Sequence, residues 1–140
     1  MTDPAYAELL SDPGGFITLI GLHFDTVSGE LVTGHLEAAP VHHTPWGVVH
    51  GGVYASMIES AASLGASIAV LNDGRYAVGV NNQTDFLRPH RFGRLDLHAT
   101  PVQQGRTLQL WVVEITNVEE KAVARGQVRL FNQALPSAEH

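Results

Sequence analysis

Residues 50–72 read HGGVYASMIESAASLGASIAVLN, and this stretch decides the fold. It is the longest apolar run in the chain, and Glu59 is its one charged side chain. Its apolar residues spread around every face of a 3.6-residue helix, which is typical of a helix enclosed by the rest of the protein. Ser, Gly and Glu interrupt it too often for a membrane span. The sequence therefore predicts a buried central helix with one carboxylate, and a buried carboxylate is costly unless it is paired, hydrogen-bonded or needed for function.

Strands are predicted on both sides of this helix. Before it, a hairpin is expected from two arms, His23–Val27 and Glu30–Ala38, around a two-residue turn at Ser28-Gly29. After it come four predicted strands: Tyr76–Phe86, Arg94–Val102, Thr107–Thr116 and Ala122–Phe131. Because short turns join these four, we expect consecutive ones to be antiparallel neighbours. The order predicts an α+β fold in which one antiparallel sheet wraps around a long central helix.

Four further segments complete the chain. Pro4–Leu10 is predicted to be a short helix, with Asp3 before it as the N-cap. The apolar segment Phe16–Leu22 fits either a strand or a short helical turn. Ala39–Val49 is predicted to be a loop because Pro40 and Pro45 interrupt it. The tail Gln133–His140 is predicted to fray.

Length and composition limit the class of protein. The chain has 140 residues, which predicts a single domain spanning 1–140. It contains no cysteine, which excludes disulfides, thiolate metal sites and a thiol nucleophile. The N-terminus has no basic segment followed by an apolar run, so we expect no signal peptide and a cytoplasmic location.

Charge is distributed unevenly along the chain. The net charge of −6 argues against nucleic acid as a partner. Residues 1–74 contain eight acidic side chains and no Lys or Arg, and all eight basic side chains follow. Five arginines lie close together in sequence: Arg75, Arg88, Arg91, Arg94 and Arg106. Such a cluster on an acidic protein suits a small polyanion, although solubilising loop charges would look the same.

The helix start and Glu59 are the candidate chemical groups. His50, Gly51 and Gly52 leave the first backbone N–H groups of the helix uncovered, and such groups can polarise a carbonyl oxygen. Eight residues separate Gly51 from Glu59, or roughly 12 Å along one helix. If both act on one carbonyl, they must come from two copies of the chain, which predicts a homodimer with a shared site. Ser63 lies one helical turn from Glu59 and can hydrogen-bond it. The alternative to a catalytic role is therefore a structural one, in which serines cap the carboxylate at an interface between subunits.

Other catalytic patterns are missing from the sequence. His42, His43 and His50 do not have metal-ligand spacing, because neighbours in an extended chain point opposite ways. No Gly-x-Ser-x-Gly elbow, phosphate-binding loop or dinucleotide fingerprint occurs. We therefore expect no metal and no cofactor.

The run TPWGVVHGGVYASMIESAASLG, residues 44–65, strongly resembles the active-site helix of hotdog-fold acyl-CoA thioesterases. The similar group includes the 4-hydroxybenzoyl-CoA, 1,4-dihydroxy-2-naphthoyl-CoA and phenylacetate-pathway types. The resemblance extends from Gly21 to Asn132, and NNQTDFLRP (residues 81–89) resembles the family's third-strand segment. It implies a hotdog fold, an acyl-CoA substrate, and self-association as a homodimer or homotetramer without nucleic acid or membrane.

The resemblance also implies roles for individual residues. Glu59 would be the nucleophile or general base, with Ser63 positioning it or its water. The Gly51 amide of a partner chain, assisted by His50, would polarise the thioester carbonyl. Thr44 occupies a position where the family often has Gln or Asn. Its shorter side chain could still donate a hydrogen bond but would reach less far toward the substrate. Residues implied in substrate binding are Gly52, Asn81, Gln83 and Arg88 near the acyl and pantetheine groups, and Gly105, Arg106 and Thr107 near the nucleotide.

Three functions are compatible with these residues. The favoured one is hydrolysis of an aryl or medium-chain acyl-CoA, since Glu at position 59 is similar to the hydroxybenzoyl and dihydroxynaphthoyl enzymes. The second is a hotdog hydratase or dehydratase, for which His50 is the nearby candidate base. The third is an acyl-CoA binding module without catalysis, which would tolerate loss of Glu59.

Overall fold

The structure is a computed structural model that describes residues 12–136, so the predicted helix at Pro4–Leu10 lies outside the described residues. Two α-helices, one 3₁₀ turn and six strands make up this part of the chain. They are α1 (Gly15–Ile20), β1 (His23–Val27), β2 (Val32–Ala38), the 3₁₀ turn (Pro40–His42), α2 (Gly51–Leu71), β3 (Arg75–Phe86), β4 (Gly93–Gln104), β5 (Leu108–Thr116) and β6 (Ala122–Ala134).

The strands form one antiparallel sheet around α2, which confirms the predicted architecture. The order is β1-β2-β4-β5-β6-β3, so β1 and β3 are the two edge strands. The alternation predicted for β4 is present, because Leu95, Leu97 and Ala99 all face the core. Core side chains from the helix and the inner sheet face pack together, among them Met57 and Trp111, neither of which is exposed.

The prediction that β3 and β4 are neighbours is wrong. β3 pairs with β6 instead, and β4 lies between β2 and β5. The connection 87–92 is not a hairpin turn: the Leu87 amide donates to the Val123 carbonyl at 2.9 Å, and the Val49 amide donates to the His90 carbonyl at 2.9 Å. These bonds lead the chain past the start of α2 to the far part of the sheet. Because the sheet is curled around the helix, six residues suffice for this crossing.

Helix α2 is buried on one stripe rather than on all sides. Eight of its residues are buried: Tyr54, Met57, Ile58, Ala61, Ala62, Gly65, Ala66 and Val70. The opposite stripe is half-buried and includes Val53, Leu64 and Glu59. The prediction of a buried carboxylate is therefore wrong for a single chain, in which Glu59 is only half-buried. Of the described residues, α2 alone is long and apolar enough to cross a membrane, a test that the core helix of a sheet also passes.

Smaller differences concern the ends of elements. The segment 16–22 is helical, as α1, rather than a strand. The hairpin turn spans residues 28–31, where the Ser28 amide donates to the Leu31 carbonyl at 2.9 Å and Val27 pairs with Val32. The segment 39–49 is a loop except for the 3₁₀ turn. Strand β6 continues to Ala134, into the tail predicted to fray.

Candidate functional site

The start of α2 has one occupied and one open backbone donor. His50 is the N-cap in an extended conformation, and its Nδ1 accepts a hydrogen bond from the Gly52 amide at 2.8 Å. Nδ1 therefore carries no proton in this arrangement, and in the neutral ring Nε2–H is a donor. The Gly51 amide makes no hydrogen bond within residues 12–136. Of the two glycines predicted to meet the substrate, Gly51 keeps its amide available, whereas that of Gly52 is capped.

A cavity of about 580 Å³ opens at this helix start. Its walls are mostly apolar, and it is lined by Val48, Val49, His50, Gly51, Gly52, Tyr54, Phe86, Leu87, Arg88 and Pro89. The ring of Phe86 covers Gly51 so closely that a Cβ on this glycine would lie 2.7 Å from Cζ. The cavity can therefore hold an apolar group beside a free amide and one arginine.

Tyr54 is the unusual residue of this cavity. It is almost fully buried, and its hydroxyl is the one buried side-chain N or O atom, among the described residues, without a hydrogen-bond partner. Burial raises the pKa of Tyr54 to about 12, so the hydroxyl stays protonated at neutral pH. Its ring lies 6.1 Å from that of Phe86.

The carboxylate of Glu59 is held on both oxygens. Ser63 Oγ donates to Oε2 at 3.2 Å, which confirms the hydrogen bond predicted from their spacing. Asn82 Nδ2 donates to Oε1, also at 3.2 Å. Below the carboxylate lies Gly79 of β3, where a Cβ would overlap with Oε2. No Lys, Arg or His in the described part of the chain forms an ion pair with Glu59, so hydrogen bonds alone hold the charge.

Glu59 and the Gly51 amide do not meet within one chain. Glu59 is absent from the lining of the cavity at the helix start. It lies two turns further along α2, against the edge strand β3. One copy of the chain thus presents a carboxylate near an open sheet edge and, separately, a free amide in an apolar cavity.

The other predicted residues near the acyl group are divided between locations. Arg88 lines the cavity. Asn81 and Gln83 lie on the outer face of the sheet, where Gln83 Oε1 accepts from Gln127 Nε2 at 3.0 Å. Thr44 lies in the preceding loop, and its hydroxyl accepts from the Trp46 amide at 3.2 Å. Within one chain, only Arg88 of these faces the cavity.

Gly105, Arg106 and Thr107 form the turn between β4 and β5, beside the end of α2. The Arg106 carbonyl accepts from Arg75 Nη1 at 2.6 Å, and Asn132 Nδ2 donates to the carbonyls of Gly105 and Arg106 at 3.1 Å each. The turn is rigidly held but lies a helix length, roughly 30 Å, from Gly51 of the same chain.

Sequence reasoning missed Asn82, which contacts Glu59, while naming both of its neighbours. Alternation along β3 would put residues 81 and 83 on one face and 82 on the other. That rule does not say which face covers the helix, and an irregularity between Gly79 and Asn81 shifts the register.

Among residues 12–136, no three His, Asp or Glu side chains are grouped to hold a metal ion.

Comparisons with known proteins identify the family and the fold. Residues 46–124 match the family model described as the thioesterase superfamily. A Mycobacterium tuberculosis protein named as an esterase is 45% identical over 120 residues, covering 84% of this chain and 85% of that protein. Its solved structure has a TM-score of 0.83 at 43% identity, covering 86% and 98% of the two chains.

Two further relatives carry more specific names. The 1,4-dihydroxy-2-naphthoyl-CoA thioesterase 2 of Arabidopsis thaliana is 31% identical over 146 residues, covering 99% of this chain and 90% of that protein. A crystal structure of the Haemophilus influenzae thioesterase HI1161 has a TM-score of 0.86 at 26% identity, covering 100% and 96% of the chains.

Proposed function

This chain belongs to the thioesterase superfamily and is a thioester hydrolase, and we propose that it hydrolyses aryl or medium-chain acyl-CoA thioesters to the free acid and coenzyme A. The observation that carries this proposal is the carboxylate of Glu59, which is half-buried, held on both oxygens and not neutralised by a cation. A carboxylate so oriented is ready to act as a nucleophile or a general base.

Two versions of the chemistry use the same carboxylate. As nucleophile, a Glu59 oxygen attacks the thioester carbon and coenzyme A leaves as the thiolate, which takes a proton from water. A water then hydrolyses the acyl anhydride, which frees the acid, restores the Glu59 carboxylate and releases the balancing proton to solvent. As general base, Glu59 takes a proton from a water that attacks the carbonyl directly, and that proton passes to the leaving thiolate. In both versions a tetrahedral oxyanion forms, and a backbone amide beside the oxygen stabilises it.

We assign that amide to Gly51 of a second copy. Glu59 lies against β3, a twelve-residue edge strand, and the edge of a sheet can pair with another chain. Near the start of this strand, Ser67 already binds the amide and carbonyl of Ala77. A second copy along this edge would bring its own α2 beside the first one. The separation of Glu59 from the cavity at the helix start within one chain supports this shared site.

The substrate class follows from the cavity and the arginines. Apolar walls beside Gly51 suit an aryl or medium acyl group, and the Arabidopsis relative is named for an aromatic acyl-CoA. Arg106 in the far turn, supplied by the second copy, is a cation for the phosphates of coenzyme A, whereas Arg88 lies in the cavity with the acyl and pantetheine groups.

One contact argues against the hydratase alternative. That chemistry would need His50 as a base, but its Nδ1 is occupied by the Gly52 amide. In the neutral ring the remaining nitrogen is then a proton donor. This tautomer suits assistance to an oxyanion rather than removal of a proton.

The decisive experiment measures thiol release from benzoyl-CoA and from short- and long-chain acyl-CoA. We expect release with benzoyl-CoA, and a fall in kcat of about 1,000-fold in Glu59→Gln, which keeps the size and removes the charge. Release at the wild-type rate in Glu59→Gln would sink the assigned role. Hydration of an enoyl-CoA without thiol release would favour the hydratase.

Sharing of the site is tested by mixing two inactive variants. Gly51→Pro removes the amide, and proline is tolerated at the first helical position after an extended His50. Gly51→Ala is the matched control, because it keeps the amide and meets Phe86 in the same way. Co-refolding Gly51→Pro with Glu59→Gln should restore about a quarter of wild-type activity, since half of the dimers are mixed and each has one intact site. No recovery in a verified mixed dimer would place both groups in one chain.

A further inference from the structure

We propose that Asn82 is a positioning residue for the Glu59 carboxylate, and that Thr84 acts on this carboxylate through Asn82. The inference rests on the proposed function, because it concerns the group that performs the reaction. Neither residue lines the cavity at the helix start, so neither touches the acyl group there.

The three side chains form a directed chain of hydrogen bonds. Thr84 Oγ1 donates to Asn82 Oδ1 at 2.7 Å. Asn82 Nδ2 donates to Glu59 Oε1 at 3.2 Å and to the Ala55 carbonyl at 3.1 Å. Both amide protons and the amide oxygen of Asn82 therefore have partners.

The orientation of the Asn82 amide is determined by these partners. If the amide were turned over, its oxygen would face the Ala55 carbonyl and Glu59 Oε1, which are both acceptors. The Ala55 carbonyl belongs to the rigid helix, and Thr84 is fixed by the strand, so the amide has one favourable orientation. Asn82 thus offers a donor to Glu59 at a set place.

Two hydrogen bonds and one close contact define the position of the carboxylate. Ser63 holds Oε2 from the helix side, and Gly79 leaves just enough room beneath it. Glutamate has three rotatable side-chain bonds, and loss of one anchor would let the carboxylate swing about the remaining one. Misplacement of a reacting group by about 1 Å can lower a rate by roughly 100-fold. We expect Asn82 to act on kcat and to leave KM nearly unchanged.

The test compares neighbouring positions on one strand. Asn82→Leu keeps the size and removes both donors, and Thr84→Val keeps the shape and removes the hydroxyl. Asp85→Leu is the matched control, because Asp85 lies on the opposite face, across from Arg125. With benzoyl-CoA we expect kcat to fall roughly 10- to 100-fold in Asn82→Leu and about 3-fold in Thr84→Val. KM should stay within about twofold of wild type in both, and Asp85→Leu should match wild type.

A double variant isolates the action of Thr84. Because Thr84 acts through Asn82, adding Thr84→Val to Asn82→Leu should lower kcat no further. If both residues had a purely structural role, the losses in kcat would multiply in the double variant, and each loss would parallel a fall in melting temperature. If Asn82→Leu does not fold, the isosteric Thr84→Val still decides, since unchanged kcat in that folded variant overturns the inference.

Failure of the inference is distinguishable from failure of the proposed function. Wild-type kcat in Asn82→Leu with an inactive Glu59→Gln overturns the positioning role alone. Full activity in Glu59→Gln overturns both, because there is then no catalytic carboxylate to position. A loss in Asn82→Leu confined to KM would mean that Asn82 binds the substrate instead.

Discussion

The two faces of strand β3 differ more than their sequences suggest. Asn81 and Asn82 are adjacent and chemically identical, yet one faces Arg129 across the outer side of the sheet and the other holds Glu59. Gln83 continues the outer face with a hydrogen bond to Gln127, and Thr84 continues the inner face with one to Asn82. The face of the strand, rather than the residue type, therefore decides which amide belongs to the site.

The inner face has a second property that the outer face lacks. It approaches α2 so closely that Gly79 has no room for a side chain beside the carboxylate. The outer face of β3 instead contacts the neighbouring strand, as in the hydrogen bond between Gln83 and Gln127. Substitutions on the inner face should therefore displace the carboxylate and change catalysis.

The largest effect is expected at Gly79. In Gly79→Ala the new Cβ would overlap with Glu59 Oε2 and push the carboxylate out of its two hydrogen bonds. We expect kcat for benzoyl-CoA to fall by roughly 100-fold. Asp85→Ala, on the outer face of the same strand across from Arg125, is the control and should stay within about twofold of wild type. Equal losses in both variants would mean that strand damage, and not the face, matters.

A smaller effect is expected where the helix supplies the second anchor. Ser63→Ala removes the hydrogen bond to Oε2 but leaves Asn82 on Oε1, so kcat should fall by about 10-fold. Ser60→Ala is the control, because no hydrogen bond of the described residues joins Ser60 to Glu59. Steady-state kinetics would measure kcat for both variants. Equal kcat in Ser63→Ala and Ser60→Ala would mean that Asn82 alone is sufficient to hold the carboxylate.

The smallest effect concerns stability, at the buried hydroxyl of Tyr54. Because this hydroxyl has no partner, Tyr54→Phe should leave the free energy of unfolding in urea unchanged or raise it by about 1 kcal/mol. A loss of more than about 1 kcal/mol would reveal a partner for the hydroxyl.

Alkaline pH sharpens this third test. The pKa of Tyr54 is about 12 in the folded protein and 10.0 in the unfolded chain. Because burial disfavours the charged phenolate, the ionisation of Tyr54 costs no stability below pH 10, and the free energy of unfolding falls as the pH rises from 10 to 12. Wild type should lose stability in this range more steeply than Tyr54→Phe, as urea unfolding of both at several pH values would show.

Much of the fold could be predicted because it depends on local patterns. The helix from Gly51 to Leu71 was expected from its apolar run and ends at the predicted breakers around Asn72. The alternation of β4 correctly indicated its core face. The neighbours of β3 could not be predicted, since the six-residue connection 87–92 crosses a curled sheet that pattern alone does not reveal.

The contacts of the site also divide into those that local spacing predicts and those that it does not. The bond between Glu59 and Ser63 follows from helical spacing and was predicted. The bond between Glu59 and Asn82 joins residues 23 apart in sequence, so no local rule identifies it. The capping of the Gly52 amide by His50 was missed because it depends on the rotamer of the N-cap.

By itself, the sequence determined a central helix with one carboxylate, an open helix start and a sheet of alternating strands, because these are consequences of residue periodicity and local hydrogen bonding. Tertiary structure alone decided that β3 lies at the sheet edge, that its inner face carries Asn82 and Gly79 against the carboxylate, and that Glu59 is half-buried. Those features depend on how distant segments pack around a curved sheet, and the free energy of that packing is shared among many contacts that no single stretch of sequence contains.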